Sequence, residues 1–379
     1  MNWKFLCFLS YLALFSQNFF SQSDTSSKLQ FNADFRFRVE EDWNSKKPDG
    51  SFRADRTRWR YRLRAGFHYD YNHWASFGAR IRSGNPIKQQ DPQLTLGDDF
   101  SEFNTLPIGF EKIYFKAEQD GYAFWIGKNT FPFEKQNELF WSDNVYPEGV
   151  FLKKKFKMES GFLNNLDVNG GHFIIRTNGT SLDKDSCFQG LQVASVLRDK
   201  KAKLYGGIYL FKNIPNIPDG ADTYIFDYFI LNIGANISLL KSRDLNLKLD
   251  YYNNLENYEN NDFIISNFKN QKNGFVSGLS IGHLDKKSDY YFKVTYSYLE
   301  KFAAVDFLAQ NDWARWDYSS YNSPDGRLTN FKGIEVVASY LLDKNIKLTL
   351  KYYKVNQLIT NGVSKETGDR IRLDLDVKF

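Results

Sequence analysis

The sequence predicts an all-β protein, a transmembrane antiparallel β-barrel of about 16 strands, within a range of about 14–18. One observation is that segments of nine or more residues alternate strictly between apolar and polar side chains. Another is that no apolar run after residue 21 reaches the length of about 20 residues that a membrane-spanning helix needs. The third is that the connections between these segments alternate between short turns and long loops, which is typical of outer-membrane barrels.

The composition of the 379-residue chain agrees with this fold class. Aromatic residues make up 17% of the chain and include 35 Phe, which is too many for a disordered protein. Charged residues nevertheless reach 25%. A chain rich in both kinds has to present apolar and polar surfaces in fine alternation, as the strands of a membrane barrel do.

Residues 1–21 are predicted to be a signal peptide. Lys4 supplies a positive charge, and residues 5–16 form an apolar stretch that is too short to span a bilayer. We expect cleavage after Ser21, which leaves residues 22–379 as a single barrel domain. Secretion of a barrel places it in the outer membrane, with outer-membrane lipid around it.

The C-terminal segment shows the alternation without exception. Its apolar face consists of Ile371, Leu373, Leu375, Val377 and Phe379, and its polar face of Arg372, Asp374, Asp376 and Lys378. Nine residues is the length that a tilted membrane strand requires. The terminal aromatic Phe379 resembles the assembly signal of outer-membrane barrels, which implies the barrel assembly machinery as a partner.

Arginines share the polar face of the first three strands. The nine residues are Arg36, Arg38, Arg56, Arg58, Arg60, Arg62, Arg64, Arg80 and Arg82. On the lipid face each would cost about 2–4 kcal/mol at the membrane midplane, so this face is predicted to line the lumen. Charges in a narrow channel concentrate ions of the opposite sign. The alternative is that Asp34, Glu40 and loop carboxylates neutralise the arginines.

Long segments rich in Asn, Asp, Gly and Pro alternate with short polar turns. The long segments lie at about 43–55, 84–110, 130–149, 177–187, 213–223, 256–272, 302–330 and 358–368. Eight long loops and seven short turns, one of them a weak signal near Asn164 and Asn165, make fifteen connections and hence sixteen strands. Both termini are then periplasmic, on the side of the short turns.

The stretch from about 58 to 156 holds five motifs: RYRLRAG at 60–66, GARIRSGN at 78–85, LTLGDDF at 94–100, WIGKNTFPF at 125–133 and NVYPEGV at 144–150. With these motifs in family order, the stretch resembles the putative-porin family of Gram-negative outer membranes. The rest of the chain resembles the family in strand rhythm alone. The resemblance implies a barrel that passes small hydrophilic solutes, and it leaves the solute unidentified.

A long loop that folds into the lumen would form a constriction opposite the arginines. The candidate is segment 84–110, with Asp98, Asp99 and Glu102 as the opposing carboxylates; the alternative is an exposed surface loop. Segment 130–149 is the rival, because it holds a dense group of aromatic residues. Such a group more often packs a loop against a barrel rim than binds a sugar.

Three functions remain open on the sequence. The first is passive diffusion of small hydrophilic solutes with a weak anion preference from the arginine face. The second is a substrate-selective channel for oligosaccharides or anionic solutes, in which the aromatic residues of 130–149 form a sliding surface. The third is a barrel without transport function, an adhesin or an enzyme. A homotrimer is common among sixteen-stranded diffusion porins, but one sequence holds no interface signal.

No catalytic, cofactor or metal site is predicted. Gly278 to Gly282 matches G-x-S-x-G, but that motif requires a strand-to-helix turn, and this stretch alternates like a strand. The histidines lack metal-ligand spacing. The net charge of +5 is organised by strand face and does not indicate nucleic-acid binding.

Overall fold

A computed structural model of the protein describes residues 28–97, 105–179, 181–199, 201–215, 224–313, 327–360 and 362–379. Its main element is a sheet of seventeen strands, one of which, Leu94–Thr95, has two residues and pairs with β2 alone. The other sixteen form the barrel wall. They are β1 Leu29–Lys46, β2 Arg56–Asp70, β3 Ala75–Ser83, β4 Ile108–Gln119, β5 Tyr122–Lys128, β6 Glu148–Lys157, β7 Leu163–Arg176, β8 Ser186–Leu197, β9 Ala202–Pro215, β10 Ile225–Leu240, β11 Leu245–Asn254, β12 Asn273–Gly282, β13 Tyr290–Leu299, β14 Phe331–Asp343, β15 Ile346–Gln357 and β16 Thr367–Lys378.

The sheet closes on itself. Every wall strand is antiparallel to its neighbours, and β1 pairs with both β2 and β16. Phe37 lies opposite Leu375 on one side and Tyr61 on the other. Closure leaves no unpaired sheet edge, the condition for a β-structure to span a membrane. The predicted sixteen-stranded antiparallel barrel is confirmed.

The side chains point outward and inward as the alternation of apolar and polar residues predicts. On β2, Leu63 is 48% exposed on the outer face, whereas its neighbour Arg62 is 6% exposed on the inner face. On β16, Leu373 is exposed and Asp374 is buried. An apolar outer wall and a charged inner wall place hydrocarbon outside and polar groups inside.

The connections follow the predicted rhythm of short and long. The first and last described residues lie with the short turns, and the backbone N–H of Phe379 donates to the carbonyl of Ala33 at 2.9 Å. The turn predicted near Asn164 and Asn165 lies instead at residues 158–162, since Asn165 belongs to β7. Gly161, with a positive φ of 84°, explains the position of this turn, because glycine adopts that conformation without strain.

In the part of the chain that is described, no helix has the length and apolar character needed to cross a membrane.

Replacing Leu63 by Arg tests the lipid-facing assignment. Leu63 lies midway along β2 on the outer face, so we expect the free energy of unfolding to fall by about 2–4 kcal/mol. Thr57→Arg is the matched control, because Thr57 is exposed on the same face near the end of the strand. There the cost should be about 0–1 kcal/mol. Urea unfolding in lipid vesicles measures both values, and equal costs at the two positions would contradict the assignment.

Candidate functional site

The segment between β5 and β6, residues 129–147, lies inside the barrel and is called the inner loop below. Its middle is bound to β11 through Asp250. The backbone N–H of Gln136 donates to the Asp250 carboxylate at 3.0 Å, and the Asn137 amide donates to the same oxygen at 2.7 Å. Asp250 is buried, and Tyr205 also donates to it.

The far end of the inner loop reaches the opposite wall. Arg64 on β2 donates to the side-chain oxygen of Asn144 at 3.0 Å. Arg80 on β3 donates to the Tyr146 hydroxyl at 2.6 Å. The inner loop is therefore bound to the wall near β11 and again near β2 and β3, so it crosses the lumen.

Aromatic packing holds the inner loop against the wall from β6 to β11. Phe140 stacks on Tyr252 of β11, with ring centroids 5.2 Å apart and planes 8° from parallel. Phe131 stacks on Trp141 at 4.6 Å, and both rings contact Phe188 of β8. These rings are buried. The aromatic group that was expected to pack against the barrel rim thus fills part of the barrel interior.

Residues 300–313, which follow β13, form a second inner segment. The backbone N–H of Ser142 in the inner loop donates to the carbonyl of Leu308 at 2.8 Å. The backbone N–H of Gln310 donates in the other direction, to the carbonyl of Glu138 at 2.9 Å. The two segments are therefore joined by backbone hydrogen bonds inside the barrel.

The second inner segment ends against β15 and β16 through Asp312. Its carboxylate pairs with Arg372 and accepts from the Tyr353 hydroxyl at 3.2 Å, while Arg370 donates to its carbonyl at 2.9 Å. Burial opposes ionisation of Asp312, but Arg372 and Lys351 outweigh burial and hold its pKa well below the usual range. Asp312 therefore stays ionised.

The nine predicted arginines lie on the inner face, where carboxylates pair with most of them. Arg38 binds Asp374 at 2.6 and 2.8 Å, and Arg36 binds Asp376 at 2.6 Å. Arg62 pairs with Asp34. These contacts come from β1, β2 and β16, so the strand that closes the barrel supplies much of the negative charge.

Two buried glutamates pair with four more of the nine arginines. Glu40 lies between Arg58, Arg60 and Arg372 and is 1% exposed. Glu111 on β4 binds Arg64 at 2.5 Å and Arg80 at 2.6 Å.

The remaining two arginines of this face are held differently. Arg56 pairs with Asp42 at 2.9 Å. Arg82 lies 3.9 Å from Glu111 and donates mainly to backbone carbonyls of the loop after β3, including that of Lys88 at 2.7 Å. The arginine face is therefore a largely neutralised network.

The carboxylates predicted to form a constriction, Asp98, Asp99 and Glu102, lie outside the described residues. The earlier part of the same loop contacts the arginine face: Asp91 pairs with Arg60 at 2.9 Å, and the Gln89 side chain accepts from the backbone of Tyr146 at 2.7 Å. This loop thus supports the inner loop at its arginine end. Phe379, the predicted assembly signal, lies exposed at the end of β16.

A polar cavity of about 280 Å³ remains between the inner loop, the second inner segment and the wall from β11 to β15. Its charged lining consists of Lys135, Glu138, Asp143, Lys248, Lys293, Glu335 and Lys351. Burial and the nearby Asp143 raise the pKa of Glu138 above its ordinary value. These residues could not be predicted as a group, because they come from five separate elements.

The closed sixteen-stranded barrel, its charged interior and its inward-folded segments define a porin-type channel protein. In agreement, residues 222–379 match the sequence profile of the family described as "Putative porin". The predicted resemblance to this family is confirmed, but the matched residues differ from the stretch of about 58–156 in which the motif resemblance was strongest. The match covers β10 to β16, where only strand rhythm had been recognised. No curated protein sequence matches the chain significantly.

Solved porin structures share the fold. OprB of Pseudomonas putida superposes with a TM-score of 0.55 at 14% identity, covering 93% of this chain and 94% of OprB. OmpF of Salmonella typhi, solved in complex with daunomycin, gives a TM-score of 0.52 at 13% identity and covers 93% and 98%. At such identities the likeness concerns the fold.

Proposed function

We propose that the protein is an outer-membrane porin that lets small hydrophilic solutes diffuse passively. The observation that carries this proposal is the polar cavity inside a closed barrel whose outer wall is apolar. Barrels of sixteen strands leave an aqueous channel when loops do not fill it completely. The family match and the shared fold of OprB and OmpF support the same function.

Planar-bilayer recording of the purified mature protein tests the proposal. We expect discrete steps of ohmic current that grow with salt concentration and are not blocked by added sugars. Heat-denatured protein is the control, since it retains the sequence but not the barrel. Absence of current from protein that shows heat-modifiable gel migration would contradict porin function.

Diffusion is favoured over an oligosaccharide-selective channel. The aromatic side chains that a sliding surface would need, including Phe131, Phe140 and Trp141, are buried in wall contacts. A sugar track requires ring faces open to the lumen, because stacking uses the face of the ring. Saturable block of the current by one oligosaccharide would reverse this preference.

A non-enzymatic role is part of the proposal. The G-x-S-x-G match lies within β12, with Ser280 buried on the inner face, and it lacks the strand-to-helix turn of a nucleophile elbow. Among the described residues, no group of three or more His, Cys, Asp or Glu side chains could hold a metal ion.

Export and assembly are also proposed. The predicted signal peptide of residues 1–21 lies outside the described residues, and N-terminal sequencing of the mature protein should start near Gln22. We propose recognition of Phe379 by the barrel assembly machinery, which a Phe379→Ala variant would test through the amount of folded protein in the outer membrane.

A homotrimer is the assembly we propose for the barrel in lipid. The outer face has a shallow apolar groove whose floor holds small residues, Ala33, Ala65 and Ala79, on three adjacent strands. Small side chains let membrane segments approach closely, and such packing drives association where lipid is equally apolar. Light scattering in detergent measures the mass, and Ala65→Trp should lower it to that of a monomer.

Ion selectivity should depend on pH through Glu138. Since burial and Asp143 raise the pKa of Glu138, its negative charge is lost at a higher pH than that of an ordinary glutamate as the solution is acidified. Lys135 and Lys351 also face Glu138 and act in the opposite direction. We expect anion preference to increase on acidification, and Glu138→Gln to show the increased preference already at neutral pH. Reversal potentials between pH 4 and pH 8 measure both effects; a pH response that Glu138→Gln leaves unchanged would contradict this role.

A further inference from the structure

We propose that small anions pass the barrel through the cavity beside the inner loop, and that four lysines there, rather than the arginine face, determine the ion selectivity. The lysine belt consists of Lys135, Lys248, Lys293 and Lys351. This inference rests on the proposed porin function and names the solute class and the residues that select it.

The wall lysines of the belt lie close together in strand register. Lys293 of β13 and Lys351 of β15 both pair in register with Val337 of the strand between them. Lys248 of β11 lies opposite Gly278, which in turn lies opposite Thr295 of β13, two residues from Lys293. Gly278 has no side chain, so the space between Lys248 and β13 stays open.

The fourth lysine faces the wall from the inner loop. Lys135 lines the same cavity and pairs with Asp143 at 2.5 Å. An ion that crosses the cavity therefore has ammonium groups on the wall side and on the loop side.

Ion pairing differs between the lysine belt and the arginine face. Within the described part of the chain, Lys248 has no carboxylate within 4 Å, and Lys351 lies 4.0 Å from Asp312, which already binds Arg372. Lys293 is paired with Glu335 at 2.7 Å. The cavity lining contains four lysines and three carboxylates, Glu138, Asp143 and Glu335, which leaves positive charge for a passing ion.

The chemistry of lysine suits transient contact. An ammonium group is a point charge on a flexible stem, whereas a guanidinium held by a carboxylate in two hydrogen bonds is fixed. Conduction requires sites that attract an ion weakly enough to release it. Small hydrated anions such as chloride, phosphate or short carboxylates fit these requirements.

Reversal potentials across a KCl gradient test the inference. We expect the wild type to prefer chloride and the Lys248→Gln, Lys351→Gln double variant to lose most of that preference, a several-fold drop in the chloride to potassium permeability ratio. The current itself should persist. The matched control is Lys354→Gln, because Lys354 lies on β15 but is exposed outside the cavity. Its permeability ratio should equal that of the wild type.

Chemical modification gives an independent measurement. In a Cys187→Ser background, a K248C variant should react with a negatively charged methanethiosulfonate reagent in the bilayer, and the anion current should fall in discrete steps. An unchanged permeability ratio in the double variant, or no reaction of the K248C variant, would overturn the inference while porin function stands. A wild type that carries no current at all would overturn both.

Discussion

Phe140→Ala should loosen the inner loop and produce a noisier channel of higher conductance. Phe140 is buried, stacks on Tyr252 and contacts Tyr209 at 5.0 Å between ring centroids. Removing a buried phenylalanine ring costs about 3–5 kcal/mol. The loop middle then keeps its hydrogen bonds to Asp250, to Gln192 and to the second inner segment, but it loses its stacking on β11. The loop should therefore leave the wall part of the time and widen the passage.

Two measurements report this change. Single-channel recording should show increased open-channel noise and larger current steps. Limited trypsin digestion in detergent should cut the variant after Lys135. In the wild type this site should resist cleavage, because the inner loop is packed against the wall. The matched control is Phe263→Ala, because Phe263 is an exposed phenylalanine of another long loop. Quiet channels and a protease-resistant inner loop in the Phe140→Ala variant would show that the aromatic contacts do not hold the loop.

The wall of the barrel could be predicted because alternation is a local property. In β16 the polarity of each residue from Ile371 to Lys378 indicates whether it faces lipid or the lumen. This two-residue period can be recognised without knowing which strand lies beside it. The count of sixteen strands followed from loop lengths, which are equally local. Even the misplaced turn near Asn164 changed one strand end and left the topology intact.

The interior of the barrel was harder to predict, because contacts between a loop and a distant strand leave no periodic signal. One signal was present nevertheless. Strands β8 and β9 place Phe188, Tyr209 and Phe211 on the inner face, although their outer faces are also apolar. A strand that is apolar on both faces must be covered on both sides. This pattern indicates that a segment such as 129–147 packs inside, against the wall from β6 to β11.

The charge pairing of the arginine face could be predicted only in part. Asp34 and Glu40 are near in sequence and were candidates for pairing. Asp374 lies 336 residues from Arg38, and only barrel closure brings β16 beside β1. Asp312 reaches Arg372 of β16 only because the second inner segment folds into the lumen. The lysine belt is of the same kind, since Lys248, Lys293 and Lys351 meet through strand register across five strands.

Glu40→Gln should be among the most destabilising single substitutions in the barrel. Glu40 is fully surrounded on the inner wall and pairs with Arg58, with Arg60 at 3.5 Å and with Arg372 at 2.9 Å. Removing one partner of a buried ion pair leaves uncompensated buried charge and costs about 3–5 kcal/mol. Here the mutual repulsion of three guanidiniums adds to that cost, while the shape of the side chain is nearly unchanged.

Urea unfolding in lipid vesicles, followed by tryptophan fluorescence, measures this loss. Glu148→Gln is the matched control: Glu148 pairs with Lys128 on an exposed part of the barrel, and such pairs contribute about 0–1 kcal/mol. Adding Arg58→Gln to Glu40→Gln should restore part of the stability, because it removes one of the three guanidiniums that repel each other around position 40. If Glu40→Gln proved as mild as Glu148→Gln, solvent in the lumen would have to screen the arginine face. The face could then attract anions itself, and the lysine belt would no longer be needed to explain selectivity.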